Sequence, residues 1–108
     1  MSDAYNGWMN RETWALALHM ANDQSLDELC QSWAAEAVEA DELSRAADSL
    51  RSWAEELWEL VLQPNPYDEQ PGSWAGLLVS DVGSLWRVDY REIMDGYIHD
   101  AKQNAEEL

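Results

Sequence analysis

The chain of 108 residues carries 22 acidic and six basic side chains, a formal net charge of −16, and its apolar residues include seven tryptophans and no phenylalanine. This length suits one modest core, so we expect residues 1–108 to form a single domain. The charge argues against direct binding of nucleic acid or of an anionic membrane, because contacts with phosphate groups need Lys and Arg.

Residues 1–9 are expected to be irregular, and the first helix follows them. Asn10 can accept a backbone hydrogen bond at the start of a helix that runs from Arg11 to about Ala21. Residues 22–24, Asn-Asp-Gln, would form the exit turn from this helix.

A second and a third helix are predicted next, each with its own capping residue. Ser25 and Glu28 have the spacing of a capping box, and the helix that they begin should end near Ala40. Asp41 would cap the third helix. This helix has the clearest apolar stripe in the chain, with a 3-4-3-4-3 spacing: Leu43, Ala46, Leu50, Trp53, Leu57 and Leu60.

A proline-rich segment begins the second half of the chain. Three prolines and a glycine within residues 63–72 predict a loop between two halves of the domain. Ser73 can cap a fourth helix, whose apolar side would continue through Leu85 and Trp86. A strand over residues 77–79 is the alternative.

The last element has another capping box, formed by Asp89 and Glu92, before a helix that should fray over residues 104–108. The predicted fold class is therefore all-α: a compact bundle of four or five short helices in a single domain.

Residues that commonly carry catalysis are scarce. His19 lies between apolar residues of the first helix, where a packed or capping histidine is expected. His99 lies beside Asp100 near the end of the last helix, where a cation interacts favourably with the helix dipole. No glutamate stands three residues before either histidine, as a di-iron bundle would require. We therefore predict no enzymatic activity and no metal or other cofactor.

Cys30 is the only cysteine, so no internal disulfide can form, and a reducing compartment fits best. The first residues contain neither a basic region nor an apolar run, and no stretch approaches the ~18 apolar residues of a membrane span. We expect a cytoplasmic protein with no membrane association.

The carboxylates of the second and third predicted helices are the candidate binding site. A helix from Asp41 to Glu59 would be about 27 Å long, and one DNA strand of that length carries about 8 phosphates. Asp48, Glu55 and Glu59 would share one side, with Asp41 above them and Arg45 interrupting the row. A Lys- and Arg-lined groove for DNA or RNA would be attracted to this face. The predicted partner-binding residues are Asp27, Glu28, Glu36, Glu39, Asp41, Glu42, Asp48, Glu55, Glu56 and Glu59.

Two other interpretations of the composition remain open. The acidity could simply keep the protein soluble, as in proteins of salt-loving organisms, and a chain whose only lysine is Lys102 fits that interpretation too. The chain could also be an interaction or scaffold protein that binds its partner through exposed tryptophan or tyrosine side chains. Binding that depends on charge should weaken steeply with salt, whereas an aromatic interface should change much less.

Residues 5–14, Tyr-Asn-Gly-Trp-Met-Asn-Arg-Glu-Thr-Trp, followed by Leu18 and Asn22-Asp23, resemble the beginning of a group of small proteins found in phages, plasmids and archaea. Their opening motif is Asn-Gly-Trp-x-Asn-x-Glu-Thr-Trp, and Met9 stands where a threonine is common. The group has no established activity. The resemblance implies a mobile-element origin, and such elements often encode small acidic inhibitors of restriction or CRISPR systems.

The motif itself has a structural and a functional interpretation. Gly7 would permit a tight turn, and Trp8 and Trp14 could bracket that turn. Alternatively, exposed Trp8, Asn10 or Glu12 would contact a partner.

Together these features predict a non-enzymatic DNA mimic that acts as an anti-CRISPR or antirestriction protein. It would occlude the basic site of a nucleic-acid-binding defence complex, in the host cytoplasm if a phage encodes it.

Overall fold

The structure is a computed structural model that describes residues 7–62 and 73–106. Within these ranges the chain is helical and contains no β-strand, so the all-α prediction is confirmed and the strand alternative at 77–79 is wrong. The proline-rich loop predicted at 63–72 lies outside the described residues. The elements are α1 (Arg11–Asn22), α2 (Gln24–Ala40), α3 (Ser44–Leu62), α4 (Ser73–Val82), a 3₁₀ turn (Leu85–Arg87) and α5 (Tyr90–Glu106).

The first two helices are joined by a single residue. Asn10 caps α1 as predicted, with its side-chain oxygen accepting a hydrogen bond from the Thr13 backbone N–H at 2.8 Å. The capping box predicted at Ser25 and Glu28 is wrong, because α2 already begins at residue 24. Asp23 caps it instead, by accepting from the Leu26 N–H at 3.1 Å. Asp23 therefore ends α1 and begins α2.

Asp41 ends α2 rather than capping α3, so that prediction is also wrong. Its backbone is left-handed, with φ of 56°. The Asp41 N–H donates to the Val38 carbonyl at 3.2 Å and the Glu42 N–H donates to the Ala37 carbonyl at 3.0 Å. These two bonds are those of a Schellman motif, which satisfies the last carbonyl groups of a helix.

The buried side of α3 differs from the predicted stripe at its C-terminal end. Ala46, Leu50 and Ala54 are fully buried, and Trp58 is nearly so, whereas Leu60 is 60% exposed. The i, i+4 spacing of these buried residues faces α2, α4 and α5, which all pack against α3. Because α3 packs against three helices, the face that it buries differs from the face predicted for packing against a single neighbour.

α4 ends at Val82, directly before Gly83, and so does not include Leu85 and Trp86, which were predicted to continue its apolar side. The Gly83 φ of 81° is left-handed, and the Gly83 N–H donates to the Val79 carbonyl at 2.9 Å. The Trp58 indole N–H then donates to the Gly83 carbonyl at 2.9 Å. Leu85 and Trp86 consequently lie in the separate 3₁₀ turn rather than in a helix, and Trp86 is 85% exposed.

The capping box predicted at the start of α5 is half correct. The Asp89 carboxylate accepts from the Glu92 N–H at 3.1 Å, so Asp89 caps the helix as predicted. The Glu92 carboxylate accepts from the Met9 N–H at 2.9 Å instead of returning to Asp89. The Asp89 N–H donates to the Thr13 hydroxyl at 2.9 Å. These hydrogen bonds of Glu92 and Asp89, with Met9 and Thr13 respectively, connect the start of α5 to the start of α1.

One apolar cluster unites the five α-helices of the described ranges. Its fully buried side chains come from every one of these helices, and Trp33 and Trp53 pack between α2 and α3 with ring centroids 6.5 Å apart. No helix in residues 7–62 and 73–106 is long and apolar enough to cross a bilayer. The largest of the fully buried apolar side chains are Leu16, Met20, Leu50, Leu78, Val82 and Met94.

Candidate functional site

Residues 24–62, here called the acidic hairpin, comprise α2, α3 and their connection. They contain ten acidic residues and two basic ones, Arg45 and Arg51, a formal charge of −8. The ten acidic residues are those predicted to bind a partner. Nine of them are exposed to solvent, and Asp27 is half-buried. The fold therefore presents nearly all of the predicted carboxylates to water.

Asp27 does not belong to this exposed set, because it holds two helices together. The Tyr97 hydroxyl of α5 donates to one Asp27 carboxylate oxygen at 2.8 Å. The Gln31 side chain donates to the other oxygen at 2.7 Å. Both oxygens of Asp27 thus have partners within the protein, and its role is structural.

The row of carboxylates on α3 is shorter than the sequence suggests. Asp41 and Glu42 lie in the connection before α3, so the helical row begins at Asp48 and ends at Glu59. This is about 16 Å of helix at 1.5 Å per residue. One DNA strand spans about 5 phosphates over that distance. The row carries four carboxylates, one of which, Glu55, accepts a hydrogen bond from Arg51 at 2.9 Å.

Six exposed carboxylates of the acidic hairpin have no hydrogen bond or ion pair within the described ranges. They belong to Glu36, Glu39, Asp41, Glu42, Asp48 and Glu56. They are free to pair with an external cation without first breaking an internal contact. They are the strongest binding candidates that the structure leaves among the predicted residues.

The residues of the N-terminal motif clamp α1 to the segment between α4 and α5. The Asn10 side-chain amide donates to the Arg87 carbonyl at 2.6 Å, and the Glu12 carboxylate pairs with the Arg87 guanidinium at 3.5 Å. Thr13 accepts from the Asp89 N–H, as described above. Gly7 has a φ of 89°, as the predicted tight turn requires. We call these contacts the motif clamp, and they give Asn10, which is 7% exposed, a structural role.

The two tryptophans of the motif are half-buried and pack against the core. Trp8 and Trp14 both line a cleft of about 460 Å³ between α1 and α5, together with Leu18 and Ile93. A larger groove, of about 1160 Å³, lies between α2 and α5, and Glu28, Glu39 and Asp100 lie along it. Both hollows adjoin exposed carboxylates.

The two histidines have different environments. His19 forms a 2.9 Å contact with the Asp81 carboxylate of α4, which also accepts a hydrogen bond from Arg11 at 3.0 Å. The His19 hydrogen bond, followed by that of Arg11, lowers the pKa of Asp81. His19 is therefore a link between α1 and α4, not a packed core histidine. His99 is exposed and bonds to Gln103 at 3.1 Å.

Cys30 is fully buried between α2 and α5. Burial, aided by the nearby Asp27 charge, raises the pKa of its thiol to about 12. The thiol is consequently protonated at neutral pH, whereas a nucleophile or metal ligand needs the thiolate. In residues 7–62 and 73–106 no group of three or more His, Cys, Asp or Glu side chains is placed to hold a metal ion.

One surface feature was missed in the sequence because Trp86 was assigned to a buried helical side. Trp86 and Met9, which are 85% and 55% exposed, line a groove of about 420 Å³ beside the start of α3. The Arg87 guanidinium lies 5.8 Å from the centre of the Trp86 ring. Gly83 was the available signal, because glycine is common at the position just after a helix. We define the Trp86 patch by its lining residues Met9, Asp48, Arg51, Trp86, Arg87, Asp89 and Arg91.

The fold and these surfaces define an all-helical protein whose exposed charge is overwhelmingly acidic. The model of a family of unknown function, DUF7249, matches residues 1–63, more than half of the chain, and the chain belongs to that family. The matched region contains the N-terminal motif and the acidic hairpin. No curated protein and no solved structure matches the chain.

Proposed function

We propose that this protein is a non-enzymatic inhibitor that binds a nucleic-acid-binding defence complex, of the CRISPR or restriction kind, in place of DNA. The carboxylates of the acidic hairpin pair with the Lys and Arg side chains that otherwise hold phosphate groups. The observation that carries the proposal is the exposure of nine carboxylates on a hairpin of formal charge −8. Inhibition is by occlusion and needs no cofactor.

The geometry favours a contact that uses both helices of the hairpin. The row on α3 alone covers about 5 phosphates of one strand, which is short for a DNA-binding channel. Glu36 and Glu39 of α2 and Glu42 of the connection extend the charged area beyond that row, and none of the three has a hydrogen-bond or ion-pair partner in residues 7–62 and 73–106. The binding surface proposed here is therefore the exposed face of the whole hairpin, without Asp27.

The test is a DNA-cleavage assay with a panel of CRISPR complexes and restriction endonucleases. At least one enzyme should be inhibited by the wild-type chain and rescued by excess DNA. Inhibition should also weaken with rising salt, because salt screens the attraction between exposed charges. The screening (Debye) length is about 10 Å at 0.1 M salt and becomes shorter as the salt concentration rises.

Two variants with equal changes in net charge make the test specific. Glu39→Lys with Glu56→Lys should weaken inhibition by more than about 10-fold, because like charges across an interface are repulsive. Asp95→Lys with Ser80→Lys and Ser84→Lys makes the same change in charge at exposed residues outside both the hairpin and the α2–α5 groove, and it should inhibit like the wild type. Failure to inhibit any enzyme, or equal inhibition by the Glu39/Glu56 variant, would contradict the proposal.

A second candidate function is an interaction protein that binds through exposed aromatic side chains. The specific observation in its favour is Trp86, whose side chain is 85% exposed. Tryptophan is among the residues most enriched at binding hot spots. The salt dependence separates the two functions, since burial of an indole depends little on ionic strength.

A further inference from the structure

An open groove of about 430 Å³ lies between α2 and α3, on the acidic hairpin itself. Its lining includes the indole rings of Trp33 and Trp53, whose centroids are 6.5 Å apart and whose planes are inclined at 59°. Both side chains are half-buried, so each packs against the core and still reaches solvent. We call this feature the tryptophan groove, and its other lining residues are Arg45, Asp48, Ser49, Ser52 and Glu56.

The end of the groove nearest the C-terminus of α3 combines an aromatic ring with a free carboxylate. Glu56 follows Trp53 by three residues, and side chains at this spacing are neighbours on a helix surface. Glu56 is exposed and has no hydrogen-bond or ion-pair partner in residues 7–62 and 73–106. Ser52, four residues before Glu56, places only a short side chain beside it. An indole ring and an anion therefore border the same open space.

The other end of the groove is closer to electrical neutrality. Arg45 and Asp48 lie there, three residues apart, and their opposite charges offset each other. Arg45 is about 16 Å along the helix axis from Glu56. Within the described ranges it has no ion pair and no cation–π contact with either tryptophan of the groove. The lining has two carboxylates and one guanidinium, a formal charge of −1, so one further cation would neutralise it.

The chemistry of the vacant end favours an arginine side chain as that cation. A guanidinium is planar, stacks on aromatic rings and donates to a carboxylate through two N–H groups. A lysine ammonium is a compact and strongly hydrated charge, so it gains less from an indole ring. Imitation of phosphate groups accounts for the carboxylates of the acidic hairpin, but it does not account for two tryptophans at their side. Recognition of arginine uses both.

We propose that the tryptophan groove binds one arginine side chain of the partner protein, with the guanidinium against Trp33 and Trp53 and paired with Glu56. The proposal rests on the proposed function, because it names a residue of the same basic partner. It makes the acidic hairpin more selective for arginine over lysine than its carboxylates alone would be.

The experiment compares the binding of hexa-arginine and hexalysine peptides to the full chain. Isothermal titration calorimetry at about 0.05 M salt measures both dissociation constants while surface charges are weakly screened. The two peptides carry the same charge, so their general attraction to the acidic surface largely cancels in the ratio of the constants. The wild type should bind hexa-arginine at least about fivefold more tightly than hexalysine, since arginine adds the stacking contact.

Two variants of the groove should each lower this ratio at least about threefold: Glu56→Gln removes the anion, and Trp33→Leu removes one ring. Glu39→Gln is the control for the first, because Glu39 is also exposed and without a partner in the described ranges but does not line the groove. Trp86→Leu is the control for the second, because it removes an exposed tryptophan of the Trp86 patch. Both controls should change the ratio by less than about 1.5-fold.

Far-UV circular dichroism establishes that each variant keeps the helical fold. Trp33 packs partly against the core, so Trp33→Leu can lower stability. Glu56→Gln tests the site independently, because this exposed side chain has no hydrogen bond or ion pair to lose within the described ranges.

Three results would overturn the proposal: equal binding of the two peptides by the wild type, an unchanged ratio in Glu56→Gln, or an equal loss of the ratio in either control. These results are distinct from failure of the inhibitory function. A chain that prefers hexa-arginine through this groove but inhibits no enzyme has the arginine site without that function. A chain that inhibits an enzyme but binds the two peptides equally has the function without the arginine site.

Discussion

Replacing Asn10 with alanine is expected to lower the free energy of unfolding by about 2–3 kcal/mol, because this side chain makes two different kinds of contact. Its oxygen caps α1, a contribution of about 1 kcal/mol. Its amide donates to the Arg87 carbonyl at 2.6 Å, and loss of that bond leaves the carbonyl without a donor, at a further cost of about 1–2 kcal/mol. Urea denaturation followed by circular dichroism measures the difference.

Two variants separate these contributions. Asp23→Ala removes a cap with no tertiary donor, so it should cost only about 1 kcal/mol. Asn10→Asp keeps a good capping oxygen but loses the amide that donates to Arg87, so most of the tertiary cost should remain. The reasoning is refuted if Asn10→Ala costs no more than Asp23→Ala. It is also refuted if Asn10→Asp is as stable as the wild type.

Two further predictions concern the second helix. Asp41→Gly should raise the free energy of unfolding by about 0.5–1 kcal/mol in urea denaturation, because glycine adopts the left-handed conformation without strain and the carboxylate leaves the negative end of α2. Cys30 should destabilise the fold as the pH rises above about 9, where the unfolded thiol ionises but the buried thiol, with a pKa of about 12, does not. The slope is at most about 1.4 kcal/mol per pH unit, and Cys30→Ala should remove it.

The outcomes that would contradict these two predictions are simple to measure. A lower urea midpoint for Asp41→Gly would mean that the aspartate side chain stabilises the connection in a way that the backbone geometry does not reveal. For Cys30, the useful window is about pH 9 to 10, because burial also raises the pKa of Tyr90 and Tyr97 from 10.0. An unchanged slope in Cys30→Ala would show that other groups cause the alkaline loss.

Helix capping shows how far the sequence alone could predict the fold. Asn10 and Asp89 were identified correctly, because each stands directly before an apolar periodic segment. Near residues 23–25 two capping residues compete, and the structure uses Asp23 rather than Ser25. At Asp41 the same residue type ends a helix instead of starting one. A capping-type polar residue therefore predicts the position of a helix boundary more reliably than it predicts whether a helix begins or ends there.

The buried faces depended on tertiary contacts that no periodic pattern contains. The heptad-like stripe of α3 places Leu60 inside, but α3 packs against three other helices, and Trp58 is buried while Leu60 is exposed. The exposure of Trp86 follows from the left-handed backbone at Gly83, which ends α4 before its apolar side can continue to Trp86.

For the candidate site, the sequence identified the acidic residues but not their arrangement. Charged side chains are expected at the surface because burying a charge is costly, and nine of the ten predicted residues are exposed in the structure. Asp27 is the exception, because its partner Tyr97 is 70 residues away in the sequence and no local pattern could reveal the contact.

The single-residue junction at Asp23 makes an elbow that cannot be lengthened without consequence. Its φ of −107° and ψ of 118° set the direction in which α2 leaves α1. An inserted residue would change the direction in which α2 leaves α1, and so would disturb the packing of the acidic hairpin against α5. The N-terminal motif holds α1 in place, and the Asp23 junction fixes the direction of α2 relative to α1. The motif therefore also determines the orientation of the acidic hairpin, so the two parts of the family match are structurally coupled.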